Sequence, residues 1–172
     1  MIPADQFVEL DRQWHDRKSF HCGAGELDRF LVQFAARHRE AGISKTMVLP
    51  ARNNKTGICA YYTLSHTEIA RQSLPKTLAR KLPCYPVPVM LIAQLAVHQV
   101  MQGQGLGKVT LIRALQHCLA IHQHLPSFAV VVDVLNDEVQ GFYEQYGFSQ
   151  LDHDNGHTRL FIAMKTIEQL FA

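Results

Sequence analysis

Between Glu68 and Asp133 the chain contains no aspartate and no glutamate, a gap of 64 residues. The same segment carries Arg71, Lys76, Arg80, Lys81, Lys108 and Arg113, together with His98, His117, His122 and His124. The formal net charge of +2 therefore divides into +6 for this segment and −4 for the rest of the chain. Such asymmetry points to an anionic partner for the segment. Chance clustering on a solvated surface is the plain alternative.

Long apolar runs are missing too; none approaches the roughly 20 residues of a membrane span. The opening "MIPADQFVELDRQWHD" is too acidic and too interrupted for a secretory signal. A cytoplasmic location with no membrane partner is expected. Cys22, Cys59, Cys84 and Cys118 form no close pairs. That spacing offers no zinc framework, and a cytoplasmic chain rarely carries disulfides, so free and mostly buried thiols are expected. Repeats and low-complexity linkers are absent. With 47% hydrophobic and 19% charged residues, the chain reads as a single domain, 1–172, long enough to bury a core.

The apolar residues that are present fall into helical and extended patterns. In "ELDRFLVQFAARHREAG", Leu27, Phe30, Leu31, Phe34 and Ala35 recur at helical spacing, with Gly42 as a stop. A short strand "KTMVL", a turn at "NNKTG" and a long strand "ICAYYTLSHTEI" follow. A loop with Pro75, Pro83, Pro86 and Pro88 leads into "VMLIAQLAV", near-continuously apolar as a central strand is. The helix "LGKVTLIRALQHCLAIHQ" presents Leu106, Val109, Leu111, Ile112, Leu115 and Leu119 as its apolar face. "FAVVVDVL" reads as a buried strand and "DEVQGFYEQY" as a short helix ending at Gly147. "FSQLD" and "TRLFIAMK" read as strands around the turn signal "HDNGH". The mixed order, with hairpins at each end, gives an α/β (α+β) class with a mixed sheet.

The stretch "QGQGLGK", Gln102 to Lys108, separates the central strand from the long helix. A phosphate-binding P-loop needs Gly-x-x-x-x-Gly-Lys-[Ser/Thr]. Here Val109 follows Lys108, and Gln102 stands where the first glycine belongs. The dinucleotide fingerprint needs a third glycine where Lys108 stands, and an acid about 20 residues on; no acid occurs before Asp133. Gln-x-x-Gly-x-Gly ahead of a helix remains. Gly103, Gly105 and Gly107 let successive backbone N–H groups face one anion, and the helix adds its positive end. No magnesium ligand is needed, which suits a pyrophosphate that is held rather than cleaved. A tight strand-to-helix turn is the plain alternative.

A second constellation lies in "NDEVQGFYEQYGF": Asn136 after a buried strand, Tyr143 seven residues later, then Gly147-Phe148. With these two motifs about 30 residues apart, the chain resembles the GNAT superfamily of acetyl-CoA-dependent N-acetyltransferases. Within it, the chain resembles the GNAT toxins of bacterial toxin–antitoxin pairs. "FHCGAGELDRFLVQFAARHREAGISKTMVL", "AYYTLS", "KLPCYPVPVMLIAQLAV", "GFYEQYGF" and "LFIAMKTIEQLF" carry that likeness over nearly the whole chain. Two positions depart: Gln94 stands where relatives often have Arg, and His98 where they often have Asp.

The resemblance implies a centrally splayed mixed sheet flanked by helices, with acetyl-CoA as co-substrate. Gln102, Gly103, Gln104, Gly105, Leu106, Gly107 and Lys108 then cradle the pyrophosphate, with Lys108 at most near the CoA phosphates. Leu95, Ala96 and Val97 hold the pantetheine arm as an added strand would, and Asn136 completes the cofactor set. Tyr143 is the expected general acid for the departing thiolate; Tyr146 is expected to pack. No general base is identifiable, although Glu68 is placed to relay a proton through water. Toxins of this branch acetylate the α-amine of aminoacyl-tRNA, commonly dimerise, and are neutralised by a ribbon-helix-helix antitoxin. Arg71, Lys76, Arg80 and Lys81 are the expected tRNA contacts, with Arg37 and Lys45 as additions.

Two other classes stay open: acetylation of a small amine or a protein N-terminus, and a non-catalytic acyl-CoA-binding or repressor module. A metal is not expected. Asp152, His153, Asp154 and His157 belong to a turn signal, and His117, His122 and His124 lack a shared-face zinc spacing.

Overall fold

The computed structural model describes residues 1–151 and 157–172. The turn expected at "HDNGH", with Asp152, His153 and Asp154, lies outside or at the edge of the described residues. In chain order the elements are β1 (Val8–Glu9), α1 (Gly25–Gln33), α2 (Ala35–Glu40), β2 (Lys45–Pro50), β3 (Ile58–Ile69) and α3 (Lys76–Ala79). There follow β4 (Val87–Val97), α4 (Leu106–His122), β5 (Ala129–Val134), α5 (Asp137–Gln145), β6 (Ser149–Gln150), β7 (Thr158–Ala163) and α6 (Met164–Leu170). Two 3-10 turns, Arg71–Ser73 and Gln99–Met101, complete the set. The fold is of the mixed α/β class. The residues group into two compact units, and β3, β4 and α4 each begin in one and end in the other.

The first unit is Met1–Ser65 with Ala93–Ala114. Its strands run in the order β1-β2-β3-β4. β2 and β3 are antiparallel, with Val48 opposite Tyr61 and Leu49 opposite Ala60. Successive side chains on a strand point to opposite faces, so these adjacent pairs feed two cores. Val48 and Tyr61 join Phe20, Phe30, Leu31, Ala35 and Ala96. Leu49 and Ala60 join Cys59, Met101 and Leu106. Ile58–Leu64 is buried without interruption, because β3 is covered on both faces. Thr46 and Thr63, buried and directly opposite, satisfy each other through a 2.8 Å hydroxyl hydrogen bond.

The second unit is His66–Ile92 with Leu115–Ala172. Its strands run β4-β5-β7-β6. β4 and β5 pair in parallel over Met90–Ile92 and Val130–Val132. A parallel pair needs a crossover connection, and α4 lies in the chain between them. β7 pairs antiparallel with β5 from Ala129↔Ala163 to Val134↔Thr158. Leu74, Val87, Val89, Ala129, Val131 and Phe161 are packed in its core.

Several expectations need correction. The first helix breaks at Phe34, where φ is −118°. The break turns Ala35 into the core and leaves Phe34 on the surface, against Phe30 and His38. On α4, Val109 faces outward while Thr110, Leu111, Ala114, Leu115 and Cys118 are buried. Thr110 reaches the inside because its hydroxyl donates to the Leu106 carbonyl at 2.7 Å, which hides the polar group. Pro88 lies within β4, not in the loop before it. It is the second residue there, and its carbonyl accepts from the Phe128 N–H at 3.0 Å. The proline-rich loop itself contains α3 and a 3-10 turn. Met164 and Lys165 begin a terminal helix instead of extending the last strand. Among the thiols, Cys84 is exposed and Cys22 half-buried.

Candidate active site

In the first unit, β4 ends at Val97 and the chain turns through Gln99–Met101 into the glycine loop. Gly103 and Gly105 have φ of 76° and 82°, values that side chains disfavour by about 1–2 kcal/mol. A Cβ built at either meets nothing within 4 Å. The glycines are therefore needed for backbone direction, not for lack of room. α4 starts at Leu106, and the Val109 N–H finds the Gly105 carbonyl at 3.3 Å. The amides of Leu106, Gly107 and Lys108 precede that bond and have no intrahelical partner. They form the positive end of a 17-residue helix, where an anion is favoured.

The Gln102 side chain is held by two main-chain carbonyls. Its side-chain amide donates to the Cys22 carbonyl at 2.7 Å and to the Val97 carbonyl at 2.8 Å. It therefore ties the loop to the end of β4 and to the segment ahead of α1. Gln104 donates to the Val100 carbonyl at 3.3 Å. The ladder between β4 and β5 stops at Ile92, and Leu95–Val97 lie beyond it. Ala96 points into the core of the first unit.

The two departures from the resemblance are both in this unit. His98 caps the 3-10 turn: its Nδ1 accepts from the Val100 N–H at 3.3 Å, and its Nε2 donates to the Ser19 carbonyl at 3.1 Å. That is the capping task a carboxylate performs elsewhere. The Gln94 Oε1 is buried and has no hydrogen-bond partner among the described residues.

In the second unit, Asn136 begins α5. Its Oδ1 accepts from the Val139 N–H at 2.9 Å, a normal N-cap. Tyr143 sits on that helix, 6% exposed, with its ring edge-on to Phe142 and Phe148 at 5.2 and 5.3 Å. Burial pushes its phenol well above the ordinary value, because the charged form is the one desolvation penalises. The hydroxyl therefore stays protonated across the physiological range. Tyr146 is half-buried and packs on Phe142.

A family model for acetyltransferases of the GNAT family matches residues 12–148. The chain belongs to the GNAT acetyltransferase family. A tRNA-acetylating toxin of Mycobacterium tuberculosis (strain ATCC 25618 / H37Rv) is 31% identical over 145 residues, 84% of this chain and 85% of that protein. The structure of AtaT complexed with acetyl-methionyl-tRNAfMet superposes with a TM-score of 0.89, at 27% identity, covering 97% of this chain and 99% of the other. AtaTR bound with AcCoA gives a TM-score of 0.84 at 27% identity, covering 97% and 98%. This GNAT protein is an acetyl-CoA-dependent acetyltransferase. The residues fit that donor: positive-φ glycines and the N-terminal end of a long helix follow one another in a sequence segment free of carboxylates.

Three of the four basic residues expected to meet RNA share one feature of the second unit. Arg71, Lys76 and Arg80 line a cavity of about 740 Å³ together with Leu74, Cys84 and Tyr85. Lys81, although adjacent in sequence, is exposed and outside that lining. Arg71 is held in place: its Nε donates to the Ala79 carbonyl at 2.7 Å and its Nη1 to the Cys84 Sγ at 3.2 Å. Tyr85, 66% exposed, was not singled out by its sequence. An aromatic residue between two prolines in an acid-free segment was the available signal. Lys45 shares the Glu9 carboxylate with Arg39, so it is a weak addition, whereas Arg37 is exposed on α2. Glu68 is exposed near the end of β3. No helix among the described residues is long and apolar enough to cross a membrane.

Proposed function

We infer that this GNAT enzyme transfers an acetyl group from acetyl-CoA to the α-amine of an aminoacyl-tRNA and so arrests translation. The observation that carries this reading is the near-full-length likeness to tRNA-acetylating toxins. The basic cavity in the acid-free segment supports it. We read residues 1–172 as one catalytic domain acting in the cytoplasm, as a homodimer, and held inactive by a ribbon-helix-helix antitoxin.

Acetyl-CoA supplies the acetyl group as a thioester. The amides of Gly103 to Lys108 hold its pyrophosphate, and Leu95–Val97 offer backbone groups to the pantetheine arm. Any contact by Asn136 falls to its Nδ2, since its Oδ1 serves the cap. Backbone N–H groups of β4 polarise the thioester oxygen. The amine nitrogen bonds to the acetyl carbon, the carbon–sulfur bond breaks, and Tyr143 gives its proton to sulfur. The proton of the amine leaves to water. An α-amine has a reference pKa of about 8, and a neighbouring ester lowers it, so a fair fraction is neutral without a protein base. Tyr143 recovers its proton from solvent.

Purified protein incubated with acetyl-CoA and a set of charged tRNAs tests this reading. Acetyl transfer to at least one charged tRNA is expected; transfer to none removes the tRNA assignment. Gln94 in place of arginine favours a second reading, with a small amine or a protein N-terminus as acceptor. Salt separates the two: tRNA turnover falls steeply with ionic strength through lost phosphate contacts, and small-amine turnover does not.

A further inference from the structure

We propose that the cavity lined by Arg71, Lys76, Arg80 and Tyr85 is a nucleotide pocket for an unpaired RNA end, with Tyr85 as its stacking platform. The inference rests on the tRNA reading and specifies which part of that substrate the second unit grips. A cavity of about 740 Å³ is large enough for a nucleotide. Three cations line it, and no acid occurs within the 64-residue segment that builds it. Among the described residues, neither Lys76 nor Arg80 forms an ion pair, so both are available to phosphates. Arg71, fixed by its two hydrogen bonds, presents a rigid guanidinium edge.

Tyr85 supplies what a purely electrostatic patch lacks. It is flanked by Cys84 and Pro86, both also in the lining, and two-thirds of its surface is open to solvent. An exposed ring among cations is the arrangement by which proteins bind single-stranded nucleic acid: bases stack on the aromatic face while cations track the backbone. A duplex buries its base faces and cannot use such a ring. The pocket therefore selects an unpaired end over a paired stem. A charged tRNA offers such an end at its 3′ terminus, the end that carries the aminoacyl group.

The test uses the full chain and two RNA hairpins of equal charge density, one blunt and one with a single-stranded 3′ extension, titrated by fluorescence anisotropy at several salt concentrations. Wild type binds the extended hairpin more tightly. Tyr85→Ala weakens that binding about tenfold or more, while Tyr85→Phe and the blunt hairpin are unaffected. Lys76→Ala and Arg80→Ala each reduce the salt slope by about 0.7. Lys81→Ala, outside the lining, leaves it unchanged. In turnover, Tyr85→Ala raises KM for charged tRNA and leaves KM for acetyl-CoA alone.

Equal binding of the two hairpins by wild type overturns the proposal, as does an unchanged affinity in Tyr85→Ala. A loss in Lys81→Ala as large as in Lys76→Ala reduces the pocket to bulk charge and also overturns it. A raised KM for acetyl-CoA in Tyr85→Ala assigns the cavity to the donor instead. If wild type acetylates no charged tRNA, the tRNA reading fails, and the hairpin comparison still decides the pocket.

Discussion

Gln102 and Val97 are joined side chain to main chain, with the amide of Gln102 donating to the Val97 carbonyl at 2.8 Å. The same amide donates to Cys22 at 2.7 Å. One side chain thus fixes the glycine loop against the strand end that precedes it. Gln102→Ala removes both bonds, and each contributes about 0.5–1.5 kcal/mol. A stability loss of about 1–2 kcal/mol is expected in urea denaturation, with a several-fold rise in KM for acetyl-CoA. An unchanged KM alongside the stability loss would mean that the loop's position does not govern donor binding.

Gly107 separates two roles of glycine. It lies in the first turn of α4 and is not among the positive-φ glycines. Gly107→Ala therefore stabilises the helix by about 0.5–1 kcal/mol. If the backbone there approaches a pyrophosphate, the added methyl group lowers acetyl-CoA affinity at the same time. Calorimetric titration and thermal unfolding on the same variant read both. Opposite signs are expected; a gain in stability with unaltered affinity argues for a simple turn.

Tyr143→Phe keeps the ring contacts with Phe142 and Phe148 and removes the proton. Turnover, followed as thiol release, is expected to fall by about 10²–10⁴-fold, with acetyl-CoA affinity within about twofold. Burial has raised the phenol's pKa, so wild-type activity has no alkaline limb from Tyr143 below pH about 10. Full turnover in Tyr143→Phe would remove it as the acid.

His15 makes stability depend on pH. Its Nδ1 accepts from the Asp11 N–H at 2.9 Å, which requires the neutral ring. Burial lowers its pKa below the ordinary value. Above pH about 6.5 the ring is neutral both folded and unfolded, and its contribution is complete. As pH falls, the unfolded chain takes up a proton that the folded ring refuses. Stability is therefore lost progressively until the lowered folded pKa is passed. His15→Asn keeps an acceptor near Nδ1 and loses the titration. The difference in urea midpoint between wild type and variant should shrink in acid; a constant difference from pH 5 to pH 8 refutes the assignment.

Gln94 carries an orphaned acceptor, and a buried unpaired polar atom costs about 1–3 kcal/mol. Gln94→Met keeps the shape and removes the atom. Unfolding free energy is expected to be equal or higher in the variant. Turnover with the preferred amine falls if Oε1 receives a substrate N–H. A clear loss of stability would show that the amide has a buried partner, such as water.

The sequence by itself determined the strands after β1, apart from their ends, and the two motifs. β3 spans the twelve residues that read as one extended run. The glycine loop precedes α4, and Asn136 heads the helix that carries Tyr143. Local periodicity and turn chemistry act within a few residues, so they are legible in one dimension. What only the tertiary structure decided depends on partners distant in sequence. Nothing local to Gln102 showed that its side-chain amide would meet Cys22, 80 positions away. Thr110 displaced Val109 from the buried face because its hydroxyl found a carbonyl one turn back. Arg71, Lys76 and Arg80 read as an undifferentiated basic run with Lys81. Packing of α3 and the following loop separated them, placing Tyr85 with the first three and leaving Lys81 outside.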